Sequence, residues 1–242
     1  MAKQAGKAGN PWGGWRENAR ELAIVVVGVL VALLAQQVVQ DFEWRQKTDA
    51  ALDAMRQELL WDDGPQIYQR AVSHSCAVAR LDAIRAAVEA GRNRAEIGRL
   101  IDAYDVLFFT YDSAALDAAV ASETFTHLTP EESAPFNNVY PSIPVFNRTA
   151  EREAVDLAAL RALRRTGGPL SDAEADATLA RVEALRNDER VMFGGAKWVI
   201  PNLRKIGPLD RGRLAEFLAS ARRQYGACAK PLPANWPDRA GS

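Results

Sequence analysis

From Leu22 to Ala35 the sequence LAIVVVGVLVALLA contains no polar side chain, and after Gln36 and Gln37 the apolar run resumes at Val38 and Val39. As an α-helix, residues 22–39 span ~27 Å, close to the ~30 Å hydrocarbon core of a bilayer. Trp12 and Trp15 precede the run, and Phe42 and Trp44 follow it. Aromatic residues at both ends match the two interfacial belts of a membrane-spanning helix. Trp15 and Trp44 would stand ~44 Å apart along such a helix, near the bilayer thickness with headgroups. The pattern predicts an uncleaved transmembrane anchor over residues 22–39, with a buried core helix as the alternative. A cleaved signal peptide fits less well. The 21 residues before Leu22 make a long n-region, and a cut after Ala35 would require a small residue at Leu33.

Beyond the anchor the apolar positions recur at helical spacing. No Gly or Pro occurs from Gln40 to Trp61, and Leu52, Met55 and Leu59 share a face, so one helix is expected from about Trp15 to Trp61. Asp62-Asp63-Gly64-Pro65 is expected to stop it. A second helix reads from Pro65 to Ala90, with Ile67, Ala71, His74, Val78, Leu81, Ile84 and Val88 as its stripe and Gly91 closing it. Asn93 and Glu96 resemble a capping box opening a third helix, which presents Ile97, Leu100, Ile101, Tyr104, Leu107 and Phe108. A shorter helix after Ser113 is expected to turn Leu116 and Val120 inward.

Thr129-Pro130-Glu131-Glu132 is a helix start with Pro at the first position. Pro135, Pro141 and Pro144 then predict a break between Tyr140 and Phe146, because a Pro inside a helix costs ~3 kcal/mol. Helix resumes through Leu157, Leu160 and Leu163 to Gly167-Gly168-Pro169. Ser171 and Glu174 form another capping box, opening a helix with Leu179, Val182, Leu185 and Met192 inward. Gly194-Gly195 is expected to weaken that helix and Pro201 to perturb its end. Asp210 starts a last helix with Leu214, Phe217, Leu218 and Tyr225, closed by Gly226, and an extended tail follows from Lys230. No alternating strand pattern appears. The expected fold is all-α: a long N-terminal transmembrane helix continuing into an extramembrane helical bundle. The divisions are a segment 1–21, the anchor 22–39, the bundle 40–229 and a Pro-rich tail 230–242.

Composition adds compartment rather than chemistry. The 242 residues include 43 Ala and 24 Arg, which favours helix. The net charge of −1 gives no support to nucleic-acid binding. Lys3, Lys7, Arg16 and Arg20 precede the anchor, and Arg45, Lys47 and Arg56 follow it. This slight bias places the N-terminus in the cytoplasm and the main domain outside. The domain beyond residue 40 then carries 26 basic and 29 acidic residues.

Glu17-Asn18, Glu21, the run IVVVGVLVALLAQQ and Phe42-Glu43-Trp44 resemble the start of an uncharacterised family of small single-pass bacterial membrane proteins. The resemblance covers about the first 60 residues, and beyond them only the helical rhythm. It implies a bacterial inner-membrane location with a helical extramembrane domain, and it implies no activity.

Candidate chemistry is sparse. His74 reads as a core or boundary histidine and His127 as a loop residue, with no metal-ligand set around either. No nucleophile elbow, P-loop or dinucleotide-binding glycine pattern is present. The acid pairs Asp62–Asp63, Asp102–Asp105 and Glu131–Glu132 read as helix stop, solvated face and cap. Asn147-Arg148-Thr149 fits a glycosylation sequon by pattern alone. No catalytic, metal or cofactor site is assigned, and an enzyme is not expected.

Cys76 and Cys228 form an even pair beyond the anchor, which permits a disulfide in an exported domain, two unpaired thiols being the alternative. Such a bridge would pin the tail to the bundle. Gly28 and Ala32 form a small-xxx-small step suited to helix packing in the bilayer, and Gln36 and Gln37 could hydrogen-bond between helices. The first functional expectation is therefore an anchored interaction or scaffold protein facing the periplasm. Its partners would be the lipid bilayer and a second copy or another membrane protein, with no nucleic acid. The alternative is a ligand-binding sensory or accessory subunit with a pocket near Tyr104 and Trp198. The short N-terminal segment leaves no room for an output domain of its own, so any signal would pass through a partner.

Overall fold

A computed structural model of the chain describes residues 13–104, 109–163, 168–233 and 236, with side chains from residue 19 onward. The chain divides into two compact units, Met1–Asp49 and Ala50–Ser242. Every regular element among the described residues is helical, so the fold is all-α. Helix α1 covers Gly13–Gln57. Every side chain from Leu22 to Val39 is exposed, Val38 at 68% and Leu22 at 65%.

In the second unit, Leu52, Met55 and Leu59 are buried as their spacing predicts. The chain does not stop at Asp62-Asp63-Gly64-Pro65. Glu58–Asp63 form one π-helical turn that runs straight into α2, Gly64–Glu89. Gly64 N–H donates to the Leu59 carbonyl, five residues back. Pro65 has no N–H to continue that pattern onto Leu60. The Leu60 carbonyl instead accepts from Asp210 N–H at 3.4 Å. The wider turn thus absorbs the proline that the sequence reading takes as a terminator. Gly64 is also needed for contact, since a Cβ there would lie 2.6 Å from the Leu59 carbonyl oxygen and 2.5 Å from Leu209 Cδ2.

Helix α2 is the centre of the bundle and is buried on most sides, packing against α7 (Asp172–Ile206), α8 (Arg211–Tyr225) and α3 (Arg94–Ala103). Helices α5 (Pro130–Val139) and α6 (Ile143–Ala162) lie against α7. Two apolar clusters result. One joins Met55, Leu59 and Ile67 to Phe146, Val199 and Leu203, and the other joins Leu81, Ile84 and Ile101 to Leu157, Leu185 and Ala221.

The caps behave as their chemistry dictates. Thr129 and Glu132, and Ser171 and Glu174, form reciprocal capping boxes. The Asn93 side chain accepts from Glu96 N–H, and Asp210 from Arg213 N–H. Glu174 also accepts from Arg94, and Arg94 and Ser171 hold its carboxyl down at about 2. The proline break falls at a 3-10 turn, Tyr140–Ser142. Gly194-Gly195 and Pro201 do not interrupt α7. Pro201 removes only the N–H that would reach the Lys197 carbonyl, and the Asn202 amide adds a donor at the neighbouring Trp198 carbonyl at 2.8 Å.

Two details differ from the sequence reading. In α4, Ala114–Ala121, Leu116 packs against the core as expected and Ala119 is buried, while Val120 is 56% exposed. Helix α3 ends at Ala103, with Tyr104 extended and fully buried. Leu107 and Phe108 lie outside the described residues.

Candidate functional site

Cys76 on α2 and Cys228 in the turn after α8 are joined by a disulfide across 152 residues, with their Cα atoms 5.9 Å apart. The bond fastens the segment that follows, Lys230–Pro233, over α2. Leu232 N–H donates to the Tyr68 hydroxyl at 3.0 Å, and Arg204 reaches the Trp236 carbonyl at 2.7 Å.

Beneath this strap is a cleft of about 440 Å³ between α2 and α7. Its floor is aromatic. The His74 ring stacks on Phe193 with centroids 4.1 Å apart and planes 7° from parallel, and Trp236 lies 5.7 Å from Phe193. His74 Nδ1 is buried and faces Glu189 Oε2 at 3.6 Å, an ion-pair distance too long for a hydrogen bond. The histidine side chain keeps 20% exposure, which belongs to the rest of the ring, including its Nε2 side. Lys230 lines the same cleft, and Lys197 Nζ sits 4.8 Å over the Phe193 ring.

Glu189 connects this cleft to a charged cluster inside the bundle. Arg70 on α2 lies 2.5 Å from Glu153 on α6 and 3.4 Å from Glu189 on α7, all three side chains at most 4% exposed. One guanidinium is shared by two carboxylates. Burial, opposed by Arg70 and reinforced by Glu189, pushes Glu153 up to about 7. Burial works against the Arg70 charge, but Glu189 and Glu153 outweigh it and hold the guanidinium ionised. Arg152 closes the outer edge by donating to Asp188 at 2.6 Å.

A second buried acid lies in the π turn. Asp63 is 1% exposed, and both carboxylate oxygens are 3.3 Å from Asp112 N–H. Burial pushes Asp63 up to about 8; the Asp112 N–H opposes this, and the charges of Glu58, Asp112 and Asp62 add to it. Glu58 accepts from the Tyr140 hydroxyl at 2.8 Å and from Ala115 N–H at 2.9 Å, tying the turn to α4 and to the end of α5. Burial and that hydrogen bond raise Tyr140.

Tyr104 and Trp198 do not share a pocket. Tyr104 is sealed in the core beside α2, because the chain leaves α3 directly into the interior. Trp198 is 60% exposed and lines a separate cleft of about 330 Å³ with Asn137, Asn138 and Val145. Its indole N–H donates to the Asn138 carbonyl at 3.1 Å.

Gly28 and Ala32 are exposed on α1, and a Cβ at Gly28 would meet nothing within 4 Å. The Asn147 side chain is occupied by both backbone groups of Tyr111, which gives the sequon asparagine a structural task. His127 lies in a short 3-10 turn, Thr124–His127. Of the acid pairs, Glu132 serves its cap, while Asp105 lies outside the described residues. Among the described residues, no three His, Cys, Asp or Glu side chains come together as a metal site.

The sequence reading missed Arg70, Glu153 and Glu189. The available signal was three charged positions on three apolar-striped helices, which no local motif links. No protein-family model, curated protein or solved structure matches the chain.

Proposed function

We propose that this chain is a single-pass protein of the bacterial inner membrane, with its N-terminus in the cytoplasm and a periplasmic helical domain that acts as an interaction or scaffold module. The carrying observation is the largely apolar stretch of α1 from Leu22 to Val39, whose 18 residues are all exposed. Apolar surface of that extent is stable in a bilayer and costly in water. The Cys76–Cys228 bridge supports the outward placement, because such bonds persist in oxidising compartments. The slight excess of Lys and Arg before the anchor points the same way.

Protease added to intact spheroplasts tests this reading. Digestion of the domain beyond Trp44 from outside, together with retention of the anchor in carbonate-washed membranes, is the expected result. A domain protected until the membrane is opened, or a chain released by carbonate, would overturn it.

A second reading is a ligand-binding accessory subunit of a membrane complex. The cleft at His74 favours it, since its volume falls within the range of small-molecule sites and its walls mix aromatic and polar groups.

A further inference from the structure

The walls of the His74 cleft carry a chemical preference. Among the described residues that line it, Lys230 and His74 are of basic type, Ser75 is neutral, and none is acidic. The nearest carboxylate described, Glu189, is 3% exposed and stands behind the histidine on its Nδ1 side, already facing Arg70. A ligand in the cleft therefore meets cationic and hydrogen-bonding groups at its polar end and aromatic rings at its apolar end. The parallel stack of His74 on Phe193 fixes the imidazole plane, so Nε2 is held in place before any ligand arrives. The disulfide and the Tyr68–Leu232 hydrogen bond hold the outer wall in the same way.

We propose that this cleft binds a small aromatic carboxylate, with its ring against Trp236 and the edge of Phe193 and its carboxylate at His74 Nε2 with Lys230 at the rim. The proposal rests on the ligand-binding reading and names its ligand class. Edge-on aromatic contact and a charge-assisted hydrogen bond are the interactions these walls offer, and the second discriminates against neutral and cationic isosteres.

The chain has two histidines, so histidine labelled with 13C gives two ring resonances in the full-length protein in maltoside micelles. His74→Gln assigns them, and His127 is the internal control. Sodium phenylacetate is the probe, with benzyl alcohol and benzylammonium as its neutral and cationic counterparts. The expected result is a saturable shift of the His74 resonance with phenylacetate, leaving His127 in place. Benzyl alcohol should bind at least about tenfold more weakly, and Lys230→Glu should weaken phenylacetate by a similar factor. Lys230 is exposed, so that variant tests recognition rather than folding.

Equal binding of alcohol and carboxylate, unchanged binding by Lys230→Glu, or parallel movement of both histidines would overturn the proposal. If benzylammonium alone moves His74, the anionic class is wrong while the cleft remains a ligand site. If no probe moves His74 at ~20 mM, the ligand-binding reading of this cleft falls as well.

Discussion

Arg70 donates to Glu153 across 2.5 Å with the two side chains 4% and 0% exposed, and the same guanidinium lies 3.4 Å from Glu189. The cluster joins α2, α6 and α7 at the point where the central helix meets both neighbours. Removing the cation would leave two carboxylates facing each other without water. Arg70→Met should therefore destabilise the domain by about 3–5 kcal/mol, read from urea unfolding. Glu153→Gln should cost less, because it keeps an acceptor for Arg70 and leaves Glu189 to balance the guanidinium charge. Equal losses in the two variants would show that the arginine is not the hub.

Asp63 gives the domain a pH dependence of definite sign. Its folded value lies near 8 against an ordinary 3.8, so between those values the folded state holds a proton that the unfolded chain has released. Its contribution is complete below about pH 4 and is lost as the pH rises towards 8. Asp63→Asn keeps an acceptor for Asp112 N–H and removes the titration. The variant should be more stable than the parent by a few kcal/mol at pH 8 and equal to it near pH 4. Parallel stability curves for the two proteins across that range would contradict this account.

Neighbouring glycines in α7 should respond oppositely to alanine. A Cβ at Gly195 would lie 2.3 Å from Phe146 Cε1, whereas a Cβ at Gly194 meets nothing within 4 Å. Gly195→Ala should cost about 1–3 kcal/mol through overpacking. Gly194→Ala should add about 0.5–1 kcal/mol through helix propensity. Thermal melts of the two variants decide the matter by the sign of the shift.

Much of the helix order is legible in the sequence because capping is local. Thr129, Ser171 and Asp210 announce their helices within four residues, and the proline break after Tyr140 follows from ring geometry alone. The π turn is not legible, since Asp62-Asp63-Gly64-Pro65 carries every local mark of a stop. The chain continues because Asp210, far along the sequence, supplies the donor that Pro65 lacks. The interior polar groups are hidden for a related reason. An amphipathic stripe predicts one buried face, but α2 is surrounded, so Gln69, Arg70 and Ser73 are buried on its other sides. The candidate cleft needs three distant segments, around His74, Phe193 and Lys230–Pro233 with Trp236, and no spacing along the chain joins them.

The bridge between Cys76 and Cys228 closes a 152-residue loop. Chain entropy assigns such a loop up to about 5 kcal/mol of stability. Reduction, or Cys228→Ala with Cys76→Ala, should lower the unfolding midpoint accordingly. Protease should then cut first within the strap after Ala229. Identical melts with and without reductant, in protein whose thiols are shown to be titratable after treatment, would refute the contribution.

On the proposal that α1 is a membrane anchor that pairs with a second copy, Gly28→Leu should weaken that pairing. The glycine has open space around it within the single chain, so the larger side chain leaves α1 intact and acts only on a partner helix. Cross-linking yield in native membranes reads the effect, and an unchanged yield would remove this face from consideration.

The π turn has an arithmetic consequence for the face that α2 presents. Each residue of an α-helix advances ~100° around the axis, so Ile67, eight residues after Leu59, would stand ~80° away from it on an uninterrupted helix. A π turn inserts one residue without advancing the rest, which brings Ile67 back to within ~20° of Leu59. Leu52, Met55, Leu59, Ile67 and Ala71 accordingly contribute to one cluster. The backbone thus stores an insertion as a local swelling, and everything downstream keeps the phase of a chain one residue shorter.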